Sequence, residues 1–178
     1  VKIFNCGDYR RQISGGGQDA NFFNHNNKDN LKLRELFFNY SIFDLNTFFN
    51  LKGGDIGILD ATNSTKVRRN KIVNFFSNFN YQKKIIFIEN ITSDQKIIDA
   101  NILFKTMSPD YKKFSLQDMK SDFQKRLDYY KNIYETILDD ENLNYIKIYN
   151  CGNKITFNNI YGFVETLLLN YLVNFRVH

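Results

Sequence analysis

One proline, two cysteines and two histidines stand in a chain of 178 residues, and each scarcity closes off a class of protein. The lone proline, Pro109, falls in a Ser-Pro-Asp-Tyr turn, and no linker divides the chain. Cys6 and Cys151 lack metal-ligand spacing. Each follows a strand in a similar context, Phe4-Asn-Cys-Gly7 and Tyr149-Asn-Cys-Gly152, so both read as small buried thiols at strand ends in a reducing compartment, the cytoplasm. Long apolar runs are missing too. The longest, residues 163–175, is interrupted by Glu165, Thr166, Asn170 and Asn174 and is too short to span a bilayer, so no membrane partner is expected. Basic blocks are equally absent: the net charge of +5 fits anionic partners, but no five Lys or Arg residues run together. No aromatic platform is interleaved with a basic stripe, which disfavours nucleic acid and leaves sugar phosphates and nucleotides.

What is present is a globular pattern. Apolar residues make up 43% of the chain, with 18 Phe, enough for a sizeable core in one domain over 1–178. Strand-like and helix-like segments alternate, which predicts an α/β fold with a mostly parallel sheet and flanking helices. Strands are expected at 1–6, 56–60, 84–89 and 145–150. One helix carries Leu33, Leu36, Phe37, Tyr40 and Phe43 and stops before Gly53-Gly54. Another runs from about Ser93-Asp94 to Phe104, with Ile97, Asn101 and Lys105 on one side. Ser115 and Asp118 open a long helix whose seam passes Leu116, Met119, Phe123, Leu127, Tyr130, Tyr134 and Ile137. Arg126 flanks that seam four residues from Tyr130, so a guanidinium and a phenol can converge. A last helix spans about 158–175. Residues 7–30 read as the one long irregular loop, with a mobile glycine- and asparagine-rich tip and with Arg10 and Arg11 at its base, set to meet a phosphate.

The chemistry concentrates at Ile58-Leu-Asp-Ala-Thr-Asn-Ser-Thr-Lys-Val-Arg-Arg69. An apolar strand ends on Asp60, at the carboxyl end of a parallel sheet where ligands bind. The turn from Thr62 to Thr65 offers hydroxyls and backbone N–H groups at a helix start, a setting suited to phosphate. Asp60 can hold a metal ion or orient a hydroxyl, and Arg68 should point inward along the top of the sheet. The plainer alternative makes Thr62 or Ser64 a helix cap and Arg68-Arg69 a solvated basic turn.

Taken in order and spacing, the segments Phe4-Asn-Cys-Gly-Asp-Tyr-Arg-Arg11, Asp60-Ala-Thr-Asn-Ser-Thr65 with Arg68-Arg69, Phe87-Ile-Glu89, Asn101-Ile102, Ser108-Pro-Asp-Tyr111, Asp122-Phe123 with Lys125-Arg126, Tyr145-Ile-Lys-Ile148 and Tyr171-Leu-Val-Asn174 resemble a known family. It is the kinase domain of the bifunctional 6-phosphofructo-2-kinase/fructose-2,6-bisphosphatase family. The resemblance implies a P-loop kinase fold and transfer of the γ-phosphoryl group of Mg-ATP to the 2-hydroxyl of fructose 6-phosphate. It implies that Arg10, Arg34, Thr62, Arg68, Arg126 and Tyr130 serve the sugar-phosphate site, with Lys105 a looser match there and at the nucleotide. Asp60 then stands beside the reacting hydroxyl and the magnesium ion, with Arg68 at the transferred group, and Asn101 near ATP. A homodimer is compatible with it. The family's Walker A strand, glycine loop and lysine would precede Val1, and Gly15-Gly-Gly17 does not replace them. On that reading the 178 residues alone should be catalytically weak and poorly stable. A family cysteine appears as Thr92, and neither His25 nor His178 takes a phosphohistidine role. The alternative function is a non-catalytic module that binds sugar phosphates.

Overall fold

The computed structural model describes residues 1–79, 83–106, 111 and 115–174. The chain divides into two compact units, Val1–Ser64 with Leu103–Tyr134, and Thr65–Ile102 with Glu135–His178.

The first unit is built on two parallel strands. β1 (Lys2–Asn5) pairs with β2 (Gly57–Asp60) in the register Lys2 to Gly57 through Asn5 to Asp60. A parallel pair needs a long crossover, and here two helices supply it. α1 (Cys6–Ser14) starts on the residue after β1, because the Asn5 side chain accepts the Gly7 N–H and caps it. α2 (Lys28–Leu51) returns the chain along the strands, capped by Asn27. It lies so close to β2 that a Cβ at Gly57 would overlap a Leu45 δ-methyl and crowd the Phe49 ring. The core gathers Phe4, Phe22, Phe37, Phe38, Ile42 and Leu45, all buried. Each such side chain contributes roughly 1.5–3 kcal/mol relative to exposure. α5 (Leu116–Lys131) completes this unit, capped by Ser115 as its sequence predicts.

The second unit holds a three-stranded sheet in the order β3 (Phe87–Ile91), β4 (Tyr145–Tyr149), β5 (Lys154–Asn158). β3 and β4 are parallel, and β4 and β5 antiparallel. The reversal is made by Asn150, Cys151 and Gly152, all with left-handed backbone at φ 45°, 56° and 101°. Asn150 is pinned there because its side-chain oxygen accepts the N–H groups of Ser93 and Asp94. α3 (Lys66–Ser77), α4 (Gln95–Thr106, its residues to Ile102) and α6 (Phe163–Asn174) flank the strands in sequence. Ile137, Leu143 and Tyr145 form a small core with Val73 and Phe87. Two ion pairs are buried beside it. Arg69 donates twice to Glu141, at 2.8 and 2.6 Å, and Lys147 lies 3.5 Å from Glu89.

An α/β fold with parallel pairing is therefore present, and several local expectations are corrected. The segment after β1 is not irregular: residues 6–14 are helical because Asn5 caps them directly. The helix beginning near 158 starts instead at Phe163, since residues 154–158 form β5. On α2 the buried face is Phe37, Phe38, Ser41, Ile42, Leu45 and Asn46, whereas Leu33, Leu36, Tyr40 and Phe43 are exposed. That helix is apolar nearly all round, so periodicity could not choose the face. Cys6 is half-buried, with Sγ 2.9 Å from Ser41 Oγ, and Cys151 is exposed on the turn; neither is a buried thiol. Residues 108–110 of the Ser-Pro-Asp-Tyr turn, the Leu116 side chain and residues 175–178 lie outside what the structure describes.

Candidate functional site

The site of the first unit is organised by residues 18–25, a strap held between α2 and α5. Asp19 caps a short 3-10 turn, Ala20–Phe23. The Ala20 N–H reaches Asp122 Oδ1, and the Arg126 Nη2 donates to the Gln18 carbonyl. Arg34, on α2, donates to the carbonyls of Phe23 at 3.1 Å and Asn24 at 3.5 Å. His25 bonds through Nε2 to the Tyr129 carbonyl on α5 at 3.1 Å. The tip that glycine and asparagine content marks as mobile is thus fastened beyond Gly17.

Around this strap the expected arginines gather. Arg10 is buried on α1, not on a loop base, and its guanidinium lies 5.8 Å from the Phe23 ring centre. Arg126 covers the same ring at 4.4 Å and the Tyr111 ring at 4.9 Å. Two cations therefore lie within reach of one aromatic ring, whose quadrupole attracts both. Arg126 is buried, not a rim residue, because Asp122 one turn earlier accepts its Nε–H at 2.8 Å. Asp122 also accepts the Tyr111 hydroxyl at 2.9 Å. Sequence reasoning did not single out Asp122, Phe23 or Tyr111; an acid four residues before a helix arginine is the signal that could have found the first.

Tyr130 stands where α5 meets the strap, 6.2 Å from the Phe23 ring centre. Burial raises its phenol above the ordinary range, while Arg34 and Thr62 as hydrogen-bonding neighbours and the charge of Arg126 pull the other way. Arg10, Arg34, Thr62, Arg126 and Tyr130 are therefore brought together. Asp60 ends β2 two residues before Thr62, exposed, its Oδ2 accepting the Asn5 amide at 2.5 Å. Asn5 is a further site residue that sequence reasoning passed over, because its capping role and its cross-strand position both depend on the register.

The helix start after β2 differs from expectation. Thr65, rather than Thr62 or Ser64, caps α3 by accepting the Arg68 N–H, and the Lys66 N–H is taken by the Glu135 carboxylate at 2.6 Å. The end of α3 is thus already supplied with an anion of its own. Arg69 is the buried member of the arginine pair, bonded to Glu141 and to the Glu135 carbonyl, while Arg68 is half-buried. Arg68 belongs to the second unit. Asn101 and Lys105 are exposed on α4, one on each side of the division between units. Among the described residues no three His, Cys, Asp or Glu side chains group as a metal site, and no helix is long and apolar enough to cross a membrane.

Comparison with known proteins gives the family. The family model described as 6-phosphofructo-2-kinase matches residues 1–178. A probable 6-phosphofructo-2-kinase of Schizosaccharomyces pombe is 39% identical over 99% of the chain and 27% of its own length. The human 6-phosphofructo-2-kinase/fructose-2,6-bisphosphatase 4 is 34% identical over 99% of the chain and 38% of its own. A Saccharomyces cerevisiae protein named fructose-2,6-bisphosphatase is 35% identical over 99% and 39%. The chain therefore spans between about a quarter and two fifths of these curated relatives.

Proposed function

The chain belongs to the 6-phosphofructo-2-kinase family, and from that premise we propose that the protein phosphorylates fructose 6-phosphate on its 2-hydroxyl at the expense of ATP, giving fructose 2,6-bisphosphate and ADP. The observation that carries the reading is the convergence of Arg10, Arg34, Arg126, Thr62 and Tyr130 around one strap, with Asp60 two residues before Thr62 at the end of β2. A sugar phosphate needs a forked, positively charged grip for its phosphate and short polar groups for its hydroxyls. Arg34 and Arg126 supply the first, with Arg10 behind them, and Thr62 and Tyr130 the second.

In the reaction, a bond forms between the 2-hydroxyl oxygen and phosphorus, the bond to the ADP oxygen breaks, and the hydroxyl proton leaves. Asp60 orients that hydroxyl and receives its proton. Because phosphoryl transfer passes through a loose transition state, positioning and charge count for more than the strength of the base. Arg68 neutralises the transferred group, and Asn101 and Lys105 serve the nucleotide; these three assignments rest on family resemblance. A magnesium ion fits Asp60, since such ions commonly take one or two protein carboxylates and complete their shell with phosphate oxygens and water. When bound, it would neutralise phosphate charge.

Two places that sequence suggests for the phosphates of ATP do not suit them. The run Gly15-Gly-Gly17 follows the carboxyl end of α1, where the helix dipole repels anions, and the start of α3 is occupied by Glu135. The relative named fructose-2,6-bisphosphatase favours as second reading a sugar-phosphate-binding module without kinase activity. The test is to supply the native protein with Mg-ATP and fructose 6-phosphate, assay for fructose 2,6-bisphosphate, and measure fructose 6-phosphate binding by calorimetry. Product supports the kinase; binding without product supports the module; no binding overturns both. The substrates proposed are cytoplasmic, and we place the protein there.

A further inference from the structure

We propose that His25 is a positioning residue for Arg34, and that its protonation loosens the grip on a sugar phosphate; the inference rests on the sugar-phosphate reading above. His25 Nδ1 lies 3.3 Å from Arg34 Nη2, and its Nε2 lies 3.1 Å from the Tyr129 carbonyl oxygen. A guanidinium only donates and a carbonyl only accepts. The two neighbours therefore select one form of the ring: neutral, with the proton on Nε2 and a lone pair on Nδ1 aimed at Arg34.

Arg34 meets three acceptors from consecutive residues, the carbonyls of Phe23 and Asn24 and the imidazole of His25. Two of them are indifferent to pH. The third is not. A proton on Nδ1 would turn an acceptor into a donor and set a positive ring against a positive guanidinium, so a contact that helps to aim Arg34 becomes repulsive. The groups facing the ring are Arg34 from α2, the Tyr129 carbonyl and the Tyr130 ring, 6.0 Å away and edge-on, from α5, and the strap itself. Burial first and the Arg34 charge second hold the imidazole below the ordinary histidine range, against the pull of the Tyr129 bond. The neutral, gripping form accordingly persists down to mildly acidic conditions and gives way below them.

The plainer role for this contact is to fasten the strap, and the measurements separate the two. Fructose 6-phosphate affinity of the native protein would be compared at about pH 8 and about pH 4.5, well below the ordinary histidine range, for wild type, His25→Asn and His25→Phe. Asn keeps an acceptor oxygen near the Nδ1 position and does not titrate, so it reports how far the ligand's own phosphate contributes to the pH effect. Wild type should lose about tenfold more affinity than His25→Asn on acidification, as expected for a hydrogen bond to a charged group. His25→Phe should be weakened by a similar factor at both values. In parallel, an NMR titration of the His25 ring should move upward in Arg34→Gln. Equal affinities and equal pH dependence for wild type and His25→Phe would overturn the positioning role while leaving the function intact. So would a His25 titration that ignores Arg34→Gln. Absence of fructose 6-phosphate binding by wild type at the higher pH would overturn the functional reading and this inference with it.

Discussion

Asn5 and Asp60 are the last register pair of β1 and β2, and one amide joins them: Asn5 Nδ2 donates to Asp60 Oδ2 while Asn5 Oδ1 accepts the Gly7 N–H. The start of α1 and the aim of the carboxylate are therefore one event. Replacing Asn5 by Ala should cost about 1 kcal/mol of unfolding stability through the lost cap and should also lower kcat. Replacing it by Asp should preserve the cap yet still lower kcat, because a second carboxylate then faces Asp60. Urea unfolding and initial rates, run side by side, check the separation; unchanged rates in both variants would sever the link.

Asp60→Asn keeps shape and removes charge. If Asp60 receives the hydroxyl proton, kcat should fall by about a hundredfold or more, while fructose 6-phosphate binding by calorimetry stays within about twofold, because the sugar phosphate is held by other residues. A parallel loss of binding would instead make Asp60 part of the grip.

Phe23 carries two guanidiniums on one ring. Phe23→Leu retains apolar volume but has no quadrupole, and a cation–π contact of roughly 0.5–2 kcal/mol is lost with each guanidinium. Fructose 6-phosphate affinity should drop about three- to tenfold in Phe23→Leu and recover in Phe23→Tyr. Equal binding by Leu and Tyr variants would show that the ring acts only as filler.

The Arg69–Glu141 pair is almost fully buried, at 3% and 1% side-chain exposure. Glu141→Gln leaves the guanidinium without its counter-charge and should cost about 3–5 kcal/mol. The bonds from Arg69 hold the Glu141 carboxyl below the usual range, with the Leu138 N–H helping and burial opposing. A carboxyl lowered on folding adds stability that is complete above its unfolded pKa and is lost as pH falls through the lowered folded value. Thermal melts across the acid range should therefore show a steeper loss for wild type than for Glu141→Gln.

Much of this was legible in the chain. The four strands read from short apolar runs, the Ser115 cap, and the grouping of Arg10, Arg34, Thr62, Arg126 and Tyr130 follow from pattern and resemblance, and the structure brings those five together. What stayed hidden has physical causes. α1 was missed because its cap, Asn5, is also a strand residue, so no turn separates the two elements. β5 was missed because Lys154-Ile-Thr-Phe-Asn158 is short, and the reversal before it puts Cys151, which carries no left-handed signal, between Asn150 and Gly152. The anchorage of the strap by Asp122 and Tyr129 is a long-range relation, separated by more than a hundred residues, and no local periodicity encodes it.

Gly57 has no functional group, touches no ligand in any reading given above, and sits three residues before Asp60 on the same strand. Yet the methyl of an alanine there would need the space of the Leu45 side chain, which is buried on α2. The strand must then ride lower or tilt, and its far end moves with it. A saturation screen scored on product formation would register Gly57 beside Asp60 as a site of the same severity, so a map of intolerant positions drawn from such a screen would overstate the number of residues that do chemistry and understate the reach of one helix pressed against one strand.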